Sequence, residues 1–445
     1  MANKVFERKI YSKMLEWKKE SNGKTALLIK GARRIGKSTI VELFAKKEYT
    51  SYILIDFANV SKQIIELFDD TMDLNYIFLR LQAIYNVILE KRKSVIIFDE
   101  IQNCPKARQA IKYLVKDGRY DYIETGSLIS IKKNVQNIVI PSEETRLNMY
   151  PLDYEEFRWA LGDKVTVNLL KEFYEKKISL QEAHRKTMRD LRLYMLIGGM
   201  PQAINEYLET NNLSLVDKVK RNILELYFDD LRKIDKSGRA SLIFKSIPSE
   251  LNKNASRYQI SSVINNENRK NIVDTINDLK DSMIVNFAYY CNDPSVGFAL
   301  HSDESFYKIF IADTGLFVTL AFWDKEYIEN TIYQKLLSDK LSADLGYVYE
   351  NLVAQMLISS GNRLYYYTFP HETSHKTYEI DFLLSRGSKI CPIEVKSSGY
   401  KSHTSLDVFC KKYSDRISNK YLLYTKDFQK DKDIFCVPIY LTMFL

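Results

Sequence analysis

A chain of 445 residues exceeds what one hydrophobic core ordinarily organises, so two to four domains are expected. Its 45% hydrophobic content suits a water-soluble globular protein, and no apolar run approaches the ~18 residues that cross a bilayer, which excludes a membrane partner. A formal charge of +8 permits nucleic-acid contact without requiring it, while five scattered cysteines with no Cys-x-x-Cys pair exclude a disulfide framework or zinc cluster and point to a reducing cytoplasm.

The segment Met1 to Arg8 carries an acid early and lacks the apolar core of a secretory signal, which again favours the cytoplasm. An amphipathic helix is expected over Phe6 to Lys19. Thr25 to Lys30 is a short apolar run, as in a buried parallel strand. It leads into Gly31-Ala32-Arg33-Arg34-Ile35-Gly36-Lys37-Ser38, and then Thr39 to Lys46 shows helical spacing of apolar residues. The octapeptide fits G-x-x-x-x-G-K-[ST] at every fixed position. In that pattern the glycines let backbone N–H groups curl toward a phosphate, and Lys37 brings a cation to the β- and γ-phosphates. Ser38 offers a hydroxyl to Mg²⁺, and the following helix adds its positive end. ATP and Mg²⁺ are the expected cofactors, with Gly31 through Thr39 as the binding segment.

Tyr52 to Phe57 reads as a second strand and Leu74 to Lys91 as a helix. Lys93 to Glu100 is an apolar strand ending in two carboxylates. In a phosphate-loop ATPase, Asp99 would hold the Mg²⁺ shell through water and Glu100 would polarise the attacking water, with Gln102 close enough to orient it. A helix over Ala107 to Asp117 precedes a strand, Tyr120 to Ser127, that breaks into a glycine turn. A polar residue at its end would face the γ-phosphate; Thr125 and Ser127 are the candidates, and a capping hydroxyl is the competing reading for each. The alternation of strands and helices predicts a parallel sheet covered on both faces.

From 151 to 235 the pattern is a helical lid, with helices over Tyr154–Leu161, Leu169–Lys177, Leu180–Leu196 and Val216–Asp230, interrupted by Gly198-Gly199-Met200-Pro201. Residues 236–330 mix helices with a strand pair, Ile284–Tyr289 and Lys308–Ala312, an order that suggests a winged-helix-like module. The polar stretch Glu326 to Lys340 is the candidate linker. In the last region, 331–445, a helix from Gly346 to Ser359 is followed by strands over Leu364–Thr368, Tyr378–Leu384 and Ile390–Ser398. Alternation puts Glu394 and Lys396 on one strand face. Asp381 could meet them and Glu350 could complete the group. Carboxylates that bind Mg²⁺ (Asp381 and Glu394) beside a lysine that orients water make a metal-dependent phosphodiesterase site. The order Glu, Asp, Glu-x-Lys matches restriction-endonuclease-like nucleases. A cross-strand ion pair is the competing reading, as is a nuclease fold that only holds DNA or a partner. His371 and His375 have metal-pair spacing but read as solvated residues at a loop tip.

These segments together resemble the bacterial and archaeal ATP-binding proteins of the AAA superfamily that carry a C-terminal domain of unknown function. The likeness rests on the phosphate loop, Asp99-Glu100-Ile101-Gln102, Thr125-Gly126-Ser127, Tyr150-Pro151-Leu152 with Glu156-Phe157, and Gly198-Gly199-Met200-Pro201. It continues through Asp313-Thr314-Gly315-Leu316, Glu350-Asn351-Leu352-Val353, Glu379-Ile380-Asp381-Phe382 and Glu394-Val395-Lys396-Ser397-Ser398. The resemblance implies an AAA-type ATPase core (1–150), a helical lid (151–235), a winged-helix-like module (236–330) and a restriction-endonuclease-like domain (331–445). By it, Lys37 and Ser38 bind phosphate and Mg²⁺, Asp99 is the metal-side acid, Glu100 activates water and Thr125 is sensor-like. The arginine that follows the sensor turn falls at Arg146, acting in cis or from a neighbouring subunit, although Thr145 stands where the family often has glycine. Relatives work as rings or dimers, so a homo-oligomer is expected. Three functions follow: an ATPase that moves or gates a nuclease-like module on DNA, an active metal-dependent DNase, or an ATP-dependent interaction switch for a protein partner with no nuclease turnover.

Overall fold

In the amino-terminal part, apolar runs become strands β1 (Ala26–Lys30), β2 (Ser51–Asp56), β3 (Ser94–Asp99) and β4 (Asp121–Gly126). With β5 (Glu144–Asn148) they pair in parallel in the order β2-β3-β4-β1-β5. Every residue of β3 and β4 is buried, the reason these strands read as near-continuous apolar runs. The helices here are α1 (Ile10–Ser21), α2 (Lys37–Glu48), α3 (Lys62–Glu66), α4 (Leu74–Tyr85) and α5 (Pro105–Asp117). Helix α5 starts on Pro105, whose missing N–H costs nothing in the first turn, and stops at Gly118 in the left-handed region. Helix α4 is shorter than the expected Leu74 to Lys91: Asn86 turns left-handed, and the Leu89 amide donates to Gln82 Oε1 at 2.8 Å instead of continuing the helix.

This computed structural model describes residues 4–69, 73–126, 141–253, 256–264, 269–325, 331–337, 346–371 and 376–445. Ser127, most of the expected linker and His375 lie outside the described residues. The chain divides into two units, Met1–Tyr150 with Asp281–Met283, and Pro151–Lys280 with Ile284–Leu445. Among the described residues, no helix is long and apolar enough to cross a membrane.

The second unit contains a mixed sheet built from β6 (Val285–Cys291), β7 (Ser302–Ile311), β8 (Leu364–Pro370), β9 (Thr377–Arg386), β10 (Lys389–Lys396), β11 (Lys420–Tyr424), β12 (Gln429–Asp431) and β13 (Ile434–Pro438). Its order is β12-β13-β11-β10-β9-β8-β6-β7. The β6–β7 hairpin, expected to complete a separate winged-helix-like module over 236–330, pairs through β6 in parallel with β8, so one sheet runs across the expected boundary at 330. Strand β9 carries an extra residue opposite β8, where Tyr365 faces Leu383 but Tyr367 faces Ile380. Such a bulge re-aims side chains, and this one falls at Asp381 and Phe382.

The motifs that surround this sheet meet in one buried node. The helix Tyr154–Ala160 opens with a capping box in which Asp153 and Glu156 satisfy each other's amides. The Leu152 amide donates to Gly199 O at 2.8 Å, and a Cβ on Gly199 would sit 2.0 Å from Leu152 O, which only glycine allows. Asp313 accepts from the Gly199 amide and from the Leu316 amide, capping the helix Thr314–Ala321. From the helix Gly346–Ser359, Asn351 bonds both N–H and C=O of Ile311, and Gln355 accepts from Thr314.

Candidate functional site

The parallel pairing brings the ends of β1, β3 and β4 to one edge of the first sheet. Lys30 lies opposite Gly126, and one step past the Phe98–Glu124 pair Asp99 and Thr125 are neighbours. The turn between β1 and α2 is wound by Arg34 (φ 68°) and Gly36 (φ 92°), both left-handed. Gly31 is pressed against the chain: a Cβ there would meet Met149 O and Ile35 Cδ1, each at 2.4 Å. Arg8, buried, ties the loop down by donating to Ile35 O at 2.9 Å and Tyr150 O at 2.6 Å. Nothing in sequence spacing signals this arginine, because its partners are backbone carbonyls remote in the chain.

Lys37 is buried in the first turn of α2, and its Nζ folds back to Gly31 O (3.1 Å) and Ala32 O (2.8 Å). Burial lowers its pKa, while Glu100 and Asp99 pull it up. Ser38 Oγ donates to Asp99 Oδ1 at 2.8 Å, and Thr125 Oγ1 donates to the same oxygen. The Glu100 amide in turn donates to Thr125 Oγ1 at 3.4 Å. Glu100 itself holds a left-handed backbone (φ 51°), uncommon outside glycine, and its Oε2 accepts from Gln102 Nε2. Arg33, Arg34 and Thr39 are exposed at the rim, and Ala32 and Ile35 are buried beneath. The Ser38 hydroxyl and Asp99 carboxylate are hard oxygen donors in hydrogen-bonding range of each other, a pair that fits Mg²⁺.

Arg146 stands outside this set. It lies on β5 opposite Leu28, half exposed, and its Nε pairs with Glu144 at 3.2 Å. Glu144 also holds buried Arg108 at 3.1 Å, and fully buried Glu124 lies 3.9 Å from that guanidinium. Burial pushes the Glu124 carboxyl well above its ordinary range, with Glu144 adding and the two arginines opposing.

In the second unit, Glu350, Glu379 and Asp381 each offer a carboxylate oxygen, all within 4.8 Å of one another. Buried Lys308, from β7, donates to Glu350 Oε1 at 3.0 Å and to Glu379 Oε1. Asp381 Oδ2 accepts from the Val395 amide at 2.7 Å. Burial raises Asp381 well above the carboxylate range, Glu350 adds to this, and Lys308 opposes it. Burial alone would strip the Lys308 charge, but the surrounding carboxylates hold its pKa well above normal. Glu394 and Lys396 pair with each other at 3.1 Å, and Glu394 is not one of the three clustered carboxylates. The group therefore gathers Glu350 and Asp381 as expected, and adds two residues that sequence reasoning missed. Strand alternation two residues before Asp381 could have pointed to Glu379; no sequence signal points to Lys308, since only the β6–β8 pairing brings it there. His371 lies against the Tyr378 ring, 4.6 Å between centroids.

Sheet, loop and the bonded set around Asp99 define a phosphate-loop nucleotide-binding domain. Residues 23–158 match the family model described as an AAA domain, which supports nucleotide binding by this part of the chain. Residues 188–327 and 345–442 match two domains of unknown function, DUF8612 and DUF4143. Among solved structures, the chain is similar to a signal transduction ATPase with numerous domains (STAND) bearing a tetratricopeptide-repeat sensor, from Pyrococcus horikoshii. That match has 12% identity and a TM-score of 0.26, and covers 81% of this chain but 46% of the other, under half of its length. It is also similar to Cdc6p from Pyrobaculum aerophilum, with 13% identity and a TM-score of 0.27, over 77% of this chain and 98% of that one. The curated proteins give no match.

Proposed function

We propose that this protein is a Mg²⁺-dependent ATPase that couples its nucleotide cycle to a restriction-endonuclease-like carboxy-terminal region able to engage DNA. The observation that carries the reading is the set Lys37, Ser38, Asp99, Glu100 and Thr125, bonded or facing one another where β1, β3 and β4 end. Lys37 exchanges the carbonyls of Gly31 and Ala32 for phosphate oxygens. Ser38 and Asp99 hold the metal, which neutralises charge on the β- and γ-phosphates. Glu100, fixed by Gln102, orients and deprotonates the attacking water, and Thr125 senses the γ-phosphate. Arg146, half exposed and paired with the buried carboxylate of Glu144, is the cation that one copy would offer to another in a homo-oligomer. Glu100→Gln is expected to keep Mg²⁺·ATP bound and to lower turnover about 10²-fold or more. Equal hydrolysis by Glu100→Gln and the unaltered protein removes the role given to Glu100.

A second reading treats the carboxy-terminal region as a nuclease-like module without turnover, so that ATP switches its hold on a DNA or protein partner. The bonds from Lys308 to Glu350 and Glu379 favour it, because they put an ammonium where a nuclease would hold metal. Plasmid incubated with ATP and Mg²⁺ or Mn²⁺ separates the two. Nicking that disappears in Asp381→Ala establishes a nuclease, and ATP-dependent partner capture with intact plasmid establishes the switch.

A further inference from the structure

We propose that Lys308 is the resident cation of the Glu350–Glu379–Asp381 group and keeps divalent metal out of it. The inference rests on the second reading above and deepens it, by naming the residue that silences the site.

A divalent ion shared by these carboxylates would have to lie about 2.0–2.6 Å from their oxygens. The oxygens are spaced for such a shared cation, all within 4.8 Å. An ammonium already lies among them, 3.0 Å from Glu350 Oε1 and bonded to Glu379 Oε1. Its position is fixed by the fold and not by side-chain chance. Lys308 lies inside β7, opposite Ala288 of β6, and Ala288 is also paired with Leu364 of β8, next to the strand that carries Glu379 and Asp381. The Lys308 side chain is only 7% exposed, and the Tyr366 ring flanks its ammonium at 5.7 Å. Moving a charge this enclosed away leaves its buried carboxylates uncompensated unless a proton or another cation takes its place. The lysine expected to do chemistry, Lys396, is engaged with Glu394 at 3.1 Å. The plug also comes from outside the core that it fills: residue 308 belongs to the 188–327 match, and the carboxylates to the 345–442 match. A carboxy-terminal core of this kind without its β6–β7 hairpin would have the acids and lack the lysine.

The test is Mn²⁺ binding to the full chain, free of nucleotide, in an Asp99→Asn background so that the amino-terminal site contributes nothing. Electron paramagnetic resonance reads free Mn²⁺ for the chain with Lys308, with and without Asp381→Asn, and for Lys308→Met, with and without Asp381→Asn. The expected result is that Asp381→Asn leaves Mn²⁺ binding unchanged while Lys308 is present, that Lys308→Met binds Mn²⁺ at least tenfold more tightly than the chain with Lys308, and that this gain is lost in the double variant. Melting is followed in parallel. A Lys308→Met chain that is unstable alone and regains stability with Mn²⁺ supports the proposal. One that gains neither a site nor stability from Mn²⁺ overturns it, as does tight Mn²⁺ binding with Lys308 in place that Asp381→Asn abolishes. Metal binding of that last kind without plasmid nicking defeats the lysine alone, whereas Asp381-dependent nicking defeats the switch reading on which it rests.

Discussion

Glu100 combines a strained backbone with a side-chain tether, and both act on where its carboxylate points. Gln102 is the tether, so Gln102→Ala is expected to lower kcat several-fold and leave ATP affinity unchanged; a loss of affinity with kcat intact contradicts the assignment. At Lys220 the effect is on pH. Its buried ammonium donates to Leu196 O at 2.6 Å and Gly315 O at 3.2 Å. Burial pulls its pKa from 10.5 to about 8, against the pull of Asp217 and Asp313 and with Arg221 adding to the fall. Between those values the unfolded chain binds the extra proton, so stability contributed by this site rises as pH climbs from about 8 to 10.5. The amplitude is about 3 kcal/mol. Urea unfolding across that window is expected to show this rise relative to Lys220→Met; parallel curves contradict it. Residues of the phosphate loop were readable because their partners are contiguous or end an apolar strand. Arg8 and Lys308 were unreadable because each acts through a tertiary pairing that no spacing encodes.

The turn at Gly198-Gly199 shows why a loop between helices can matter as much as a helix. It is held by Leu152 on one side and Asp313 on the other, and its second glycine touches backbone. Gly199→Ala drives a Cβ into Leu152 O and is expected to cost about 1–3 kcal/mol of stability, measured by chemical denaturation. Asp313→Ala removes a helix cap worth about 1 kcal/mol and strands the buried Gly199 amide, a further loss of about 1–3 kcal/mol. Stability within 0.5 kcal/mol, on the scale of a surface substitution, would contradict either role. The same distinction explains which elements the sequence disclosed. Strands β1 to β4 and the helix Gly346–Ser359 carry long apolar patterns and were legible. Strand β5 alternates charged residues, Glu144 and Arg146, that serve the Arg108 cluster, so its pattern does not read as a strand. In β10, Glu394 pairs with Lys396 of its own strand, a choice of partner that strand alternation does not encode.

For the whole molecule, the parallel sheet of the first unit and the mixed sheet of the second divide the chain's chemistry into a nucleotide site and a carboxylate group already holding a lysine. The expected four-part division was only partly legible. A hairpin near residue 300 can complete a small module or extend a sheet, and only pairing with β8 decides between them. The account stands on the first site, and equilibrium binding of ATP with Mg²⁺ tests it most directly. Titration calorimetry is expected to show Mg²⁺·ATP bound by the unaltered chain and by Glu100→Gln, and binding lost in Lys37→Ala. Undiminished affinity in Lys37→Ala, or no affinity in the unaltered chain, would contradict it.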